Sequence, residues 1–169
     1  MNNLTDRQFW LNYWENKTGL IFKIPNNYPF LSLLQKLMDH NKIESLLEIG
    51  GFLGYYSAWI RKKVSIVVTL LNFVIYRQLV HQLEAANNIK KGEIDILETD
   101  LFKYSSNKKN DLVMSNELIE HYKNKDIINE HISLLSDQGI LFITLPNFRG
   151  LNKWFQRSFD QDDYYKHFV

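Results

Sequence analysis

The sequence has no cysteine, and only three prolines and seven glycines among its 169 residues. Without cysteine there is no disulfide framework, no thiolate zinc site and no cysteine nucleophile. The scarcity of proline and glycine leaves no flexible linker, and no repeat or low-complexity tract interrupts the chain. Charge of one sign is lacking too: 20 Lys and Arg stand against 19 Asp and Glu, a net charge of +1. That removes the strongly basic field with which a protein competes for phosphates, so no nucleic-acid partner is expected. Long hydrophobic runs are also missing. The longest, Ile66 to Tyr76, is interrupted by Thr69 and Asn72, and a spanning helix needs about 20 residues. Met1-Asn2-Asn3-Leu4-Thr5-Asp6 lacks the basic start and apolar core of a secretory signal. The expectation is a cytoplasmic protein with no membrane contact.

What the sequence does have is 45% hydrophobic residues, enough for a single folded domain with a buried core. Its apolar periods alternate between two kinds. Short apolar runs suited to buried strands occur at Ser45–Ile49, Val64–Leu71, Ile94–Leu97, Asp111–Met114 and Ile140–Leu145. Between them lie helical patterns. Tyr55–Lys63 follows a glycine turn, and Ile75–Asn88 carries Ile75, Leu79, Leu83 and Ala86 at helical spacing. Asp126–Ser136 places Ile127, Ile128, His131, Ile132 and Leu135 on one face, with Asp137-Gln138-Gly139 as its terminating signal. Two more helices are expected upstream, at Gln8–Trp14 and Phe30–His40. Strands alternating with helices predict βαβ crossovers and a doubly wound, mostly parallel α/β sheet with helices on both faces. The upstream helices would cover one end of it.

Leu46-Leu47-Glu48-Ile49-Gly50-Gly51-Phe52-Leu53-Gly54 reads as a strand, a glycine turn and a helix start. Such glycines permit positive φ and let a ligand approach the backbone. A carboxylate two positions before Gly50 would repel a pyrophosphate but welcome a cation or a hydroxyl. A tight turn with no ligand is the plainer alternative.

These residues resemble motif I of the class I S-adenosylmethionine-dependent methyltransferases, an acidic-x-Gly-x-Gly-x-Gly loop. Phe52 stands where that motif has its middle glycine. The resemblance implies a Rossmann-like fold and S-adenosylmethionine as cofactor. It places Glu48 near the amino end of the methionine moiety, with Gly50, Gly51, Phe52 and Gly54 forming the loop. Further landmarks follow in order. Asn72 ends the second strand where the family has an acidic residue for the ribose hydroxyls; an amide can bond a hydroxyl but lacks the charge. Phe73 would pack on the adenine face. Asp100 and Leu101, in Leu97-Glu98-Thr99-Asp100-Leu101-Phe102, match the segment that contacts the adenine amino group and ring. The alternatives are a turn-forming asparagine, a capping aspartate and an ordinary core phenylalanine. Asp111-Leu112-Val113-Met114-Ser115-Asn116-Glu117-Leu118-Ile119-Glu120-His121 looks like the family's fourth strand and its sequel, which places Ser115 and Asn116 beside the methionine part. The fifth strand ends at Pro146-Asn147, so the likeness runs from about Ser45 to Gly150.

Methyl transfer from a sulfonium needs positioning more than protein chemistry. His121, at the crevice mouth, is the one candidate for a general base; a cap is the other reading. Glu117, Glu120 and His121 at i, i+3 and i+4 could meet on a helical face as divalent-cation ligands, but a solvated face is the simpler reading, so no metal is assigned. Trp10, Tyr13 and Trp14 resemble lid segments of small-molecule methyltransferases. Asn147 to Arg157 is aromatic and basic, and reads as an amphipathic packing helix.

One domain is expected over residues 1–169: a helical segment at 1–44, a cofactor-binding core at 45–150 and a short C-terminal segment at 151–169. The expected function is methyl transfer to a small-molecule acceptor. An inactive methyltransferase-like binding or scaffold subunit, or one half of a split enzyme, is the alternative, because the sixth and seventh strands of the family fold are not found. The sheet edge left open would be covered by a homodimer or a partner subunit. A nicotinamide dehydrogenase fits less well, since it would have Gly-x-Gly-x-x-Gly without the carboxylate of Glu48.

Overall fold

A computed structural model describes residues 6–122, 126–147 and 149–159. In chain order the elements are α1 (Arg7–Glu15), α2 (Leu31–His40), β1 (Ser45–Ile49), α3 (Tyr55–Lys63), β2 (Val67–Asn72), α4 (Arg77–Ala86), β3 (Asp95–Glu98), β4 (Asn110–Asn116), α5 (Asp126–Ser133), β5 (Leu135–Thr144) and α6 (Gly150–Phe159). Single 3₁₀ turns at Leu101–Lys103 and Ile119–His121 follow β3 and β4. Among these residues no helix is long and apolar enough to cross a membrane.

The five strands form one all-parallel sheet in the order β3-β2-β1-β4-β5. Chain growth therefore runs outward from β1 in one direction, returns, and runs outward in the other. The reversal lies between β1 and β4, and at such a point the loops leaving the two strands diverge and open a crevice at their carboxyl ends.

The period-2 alternation of the strands divides the core. Leu46, Val68, Leu70, Leu112, Met114 and Phe142 bury against α2, α3 and α4 on one face. Leu47, Ile49, Leu71 and Val113 bury against Leu101, Ile127 and Leu134 on the other. The sheet is thus doubly wound, as expected. The same alternation fixes a functional position: Glu48 shares its side of β1 with Leu46, so its carboxylate points toward α3.

Several boundaries differ from the sequence expectation, each for a visible reason. Val64 caps α3 by donating its N–H to the Ile60 carbonyl, so β2 begins only at Val67. The helical pattern from Ile75 begins as helix at Arg77, because Ile75 and Tyr76 belong to the turn leaving β2. Gly139 does not terminate α5. The helix ends at Ser133, and Gly139 lies inside β5, where the pairing shifts from Asn110↔Leu135 to Leu112↔Ile140. A Cβ on Gly139 would stand 2.8 Å from the Leu135 side chain and 3.0 Å from the Ser136 and Asn110 carbonyl oxygens, so this crowded place in the strand favours glycine. The loop Asp137-Gln138-Gly139 is therefore an irregularity of the strand. Finally, α6 forms, but Leu151, Trp154, Phe155 and Phe159 are exposed. The helix does not pack its apolar residues on the core as its pattern suggested; Trp154 and Phe155 contact Phe159 instead.

The strand starts are tied together away from the crevice. The Asp111 carboxylate accepts from the Glu44 and Ser45 N–H groups and from the Ser45 and Ser136 hydroxyls, joining β4 to β1 and β5. Burial raises the pKa of this acid, but those four hydrogen bonds outweigh it and leave the pKa below its ordinary value.

Candidate functional site

A cavity of about 260 Å³ opens at the carboxyl ends of β1 and β4, where the strand order reverses. Its floor is Glu48 and the turn Gly50-Gly51-Phe52; one wall is Asn116, Glu117 and His121, after β4; α1 closes the top.

The floor follows from local sequence. Gly50 (φ 74°) turns the chain as it leaves β1, and its N–H donates to the Leu71 carbonyl on β2. Gly54 (φ 80°) opens α3 but has no side chain with which to cap it. Glu48 caps the helix from the strand instead: its Oε2 accepts from the Ser57 N–H at 2.7 Å. Gly51 lies directly over this carboxyl group. A Cβ there would stand 2.7 Å from the Glu48 Cδ, so only glycine leaves the space above the acid open. Glu48 is 1% exposed. Burial pushes its pKa up to about 7, against the opposing hydrogen bonds from Ser57. An acid held in this way is partly protonated at neutral pH and gains by meeting a cation.

Phe52, in the middle-glycine position of the motif, is buried between Trp14 on α1 (ring centroids 4.4 Å apart) and Tyr76 (6.1 Å). It joins the glycine turn to the N-terminal helix. That helix is held over the cavity by further contacts. Trp10 meets His121 edge-on at 5.3 Å, the Tyr76 hydroxyl donates to the Glu15 carboxylate and the Leu11 carbonyl, and Arg7 pairs with Glu98 at the end of β3. Trp10, Tyr13 and Trp14 all line the cavity.

Of the residues expected at the site, Glu48, Gly50, Gly51, Phe52, Asn116 and His121 line the cavity; Gly54, Asn72, Phe73, Asp100, Leu101 and Ser115 lie outside its lining. Asn72 and Asp100 nonetheless sit at adjacent strand ends, because the Thr99 N–H donates to the Asn72 carbonyl. Each is also used locally. The Asn72 Oδ1 accepts from the Phe73 N–H at 2.8 Å, and the Asp100 Oδ1 caps the following turn through the Phe102 N–H at 3.1 Å. Ser115 is fully buried in β4, and its Oγ has no hydrogen-bond partner. Asn116 accepts from the Thr144 hydroxyl at 2.5 Å, which links the ends of β4 and β5. Glu117, Glu120 and His121 do not share a helical face: Glu117 has a left-handed backbone (φ 50°) and the residues after it form a 3₁₀ turn. Among the described residues no three His, Asp or Glu side chains cluster as metal ligands.

Sequence reasoning missed Phe9, Tyr28, Tyr55 and Tyr56, which complete the lining. Tyr55-Tyr56 directly after Gly54 was a local signal, because a pair at the start of a helix that follows the glycine turn must border whatever the turn encloses. Tyr28 had none. It reaches the site only because Pro25 to Pro29 folds back onto α3, where Tyr28 meets both Tyr55 and Tyr56 at 5.7 Å.

The parallel sheet in the order 3-2-1-4-5 is a fold that this chain shares with solved S-adenosylmethionine-dependent methyltransferases. Solved structures of that class superpose on this chain. Coclaurine N-methyltransferase, bound to N-methylheliamine and S-adenosylhomocysteine, matches with a TM-score of 0.57 and 17% identity over 75% of this chain and 40% of its own. A methyltransferase from Thiobacillus denitrificans in complex with S-adenosylhomocysteine has a TM-score of 0.59 and 16% identity over 82% of this chain and 55% of its own. The N-methyltransferase NodS from Bradyrhizobium japonicum WM9, also with S-adenosylhomocysteine, has a TM-score of 0.53 and 16% identity over 83% of this chain and 68% of its own. The chain thus spans about half the length, or less, of the first two structures. No family model matches the sequence, and no curated protein matches it. At these identities what is shared is the fold.

Proposed function

We propose that the chain binds S-adenosylmethionine at the carboxyl ends of its strands and serves methyl transfer to a small-molecule acceptor. The observation that carries this reading is Glu48: a buried carboxylate at the base of the cavity, beneath a glycine whose missing side chain keeps it open. Among the described residues that line the cavity none is Lys or Arg, so no side chain there supplies the Lys or Arg cation this acid would favour. The α-ammonium group of the cofactor's methionine end meets that need.

When bound, the cofactor supplies a methyl group already activated on a sulfonium. The chain's own residues then bind, orient and shield. Glu48 takes the ammonium group, and Gly50 and Gly51 allow close approach of the methionine backbone. Asn116 and Ser115 border the same end, with Gly54 and Phe52 holding the turn. Asn72, with its Oδ1 engaged by Phe73, offers its amide NH₂ to a ribose hydroxyl. Phe73, Asp100 and Leu101 frame the adenine. The aromatic face of α1 keeps water from the reacting centre. His121, against Trp10 at the cavity wall, is placed to receive a proton from an acceptor.

Titration calorimetry of the full chain with S-adenosylmethionine, S-adenosylhomocysteine and NAD tests this. Micromolar binding of S-adenosylhomocysteine, weakened tenfold or more in Glu48→Gln and in Asp100→Asn, is expected. Failure of both adenosyl ligands to bind overturns the reading. Affinity that survives both substitutions overturns the residue assignment.

A further inference from the structure

The cavity is wider in chemistry than a methionine end requires. Eight of its fourteen described lining residues are aromatic, and among those residues the charged side chains are two carboxylates, Glu48 at the floor and Glu117 at the rim. Glu117 is exposed, so it faces arriving solutes, whereas Glu48 is buried at the base of the cavity. Tyr28 and Tyr56 line the same cavity as the two acids. Burial raises the pKa of each hydroxyl first; Glu48 and Glu117 raise it further at Tyr28, and Tyr28, Glu48 and Glu117 in that order at Tyr56, so both carboxylates act on the same space. Aromatic faces and carboxylates stabilise cations, and both disfavour anions. The chain shows this chemistry internally, since the Lys17 ammonium lies 4.5 Å from the Tyr13 ring centroid.

Building on the proposed methyl transfer, we infer that the acceptor is a small amine, captured as its cation between Glu117 and the aromatic residues of α1. Glu48 is committed to the cofactor's ammonium, so the rim acid is the group available for a second cation. The bound ammonium passes one proton to His121 at the cavity wall, which frees the nitrogen lone pair to form the new C–N bond. The electrons of the broken C–S bond remain on sulfur, and the product is again a cation, one methyl group larger. Trp10 supplies the ring face and Glu117 the charge. An acidic or phosphorylated acceptor would be repelled from the same rim.

Calorimetry on the full chain tests this with benzylamine, benzyl alcohol and benzoate, three probes of similar size carrying positive, zero and negative charge at pH 7. Each is titrated with and without saturating S-adenosylhomocysteine. Benzylamine is expected to bind at least about tenfold more tightly than the alcohol, with benzoate weakest. Glu117→Gln should reduce that preference about threefold and leave S-adenosylhomocysteine affinity unchanged, and Trp10→Leu should weaken the amine in the unchanged charge background. Equal binding of alcohol and amine, tighter binding of benzoate, or an amine preference untouched by Glu117→Gln overturns the inference. Because the cofactor titration is separate, S-adenosylhomocysteine binding without amine preference refutes the amine alone. Amine preference without S-adenosylhomocysteine binding refutes the methyl-transfer reading while sustaining the cavity's ligand class.

Discussion

Glu48 makes the stability of the protein depend on pH in a direction opposite to that of a salt-bridged acid. Its carboxyl, ordinarily near 4.5, titrates at about 7 in the folded chain because it is buried. Below about 4.5 the folded and unfolded forms are both protonated and the group costs nothing. Between 4.5 and about 7 the unfolded chain releases the proton that the folded chain keeps, so stability falls as pH rises. Above 7 the whole cost is present. At about 1.4 kcal/mol per pKa unit it comes to about 3 kcal/mol. Glu48→Gln removes the titration while keeping an oxygen to accept the Ser57 N–H. Relative to its own value at pH 4.5, the variant should therefore be more stable than wild type at pH 8 by about 3 kcal/mol, or roughly 6–12 °C in melting temperature for a chain of this size. Urea unfolding followed by circular dichroism, at pH steps from 4.5 to 8, gives the two profiles. Groups such as His131, whose pKa burial lowers, titrate in both proteins and cancel in the difference. Superimposable profiles would refute the argument: the acid would then be hydrated or paired.

Two further substitutions test the architecture around the site. Gly51→Ala places a methyl group against the Glu48 carboxyl, where the Cδ would lie 2.7 Å away, and should cost about 1–3 kcal/mol in urea unfolding, with loss of S-adenosylhomocysteine binding; unchanged stability would show that the turn has room to move. Asn87→Ala strips three hydrogen bonds, from the Ile24 N–H and to the Phe22 and Leu83 carbonyls, and should cost about 2 kcal/mol. Because those bonds hold the segment leading from α1, limited proteolysis should cut the variant near Phe22 first; cleavage elsewhere would refute the tether.

The alternation of strands and helices, the glycine turn and the acid before it were all legible in the sequence. Each is a local pattern, in which period 2 or 3.6 reports burial and glycine reports a backbone no other residue tolerates. The same locality explains the errors. Gly139 carries the composition of a helix terminator, but it lies inside β5 beside the Asn110 carbonyl of β4, 29 residues away in sequence, and that pairing could not be read from its neighbours. The apolar stripe of α6 predicted packing, yet a stripe says only that a face is apolar, and here that face is exposed.

By itself, then, the sequence determined the parallel α/β sheet, the turn and Glu48 at its base, because these depend on residues within a few positions of one another. The tertiary structure decided what the turn faces. Trp10 reaches His121 and Trp14 reaches Phe52 only because the strand order brings the ends of β1 and β4 together and α1 closes over them, and Tyr28 reaches Tyr56 because Pro25 to Pro29 folds back onto α3. Whether an acid is buried like Glu48 or exposed like Glu117 is likewise a property of packing. Desolvation and convergence depend on everything surrounding a group in space, and for this cavity those surroundings are drawn from positions more than a hundred residues apart.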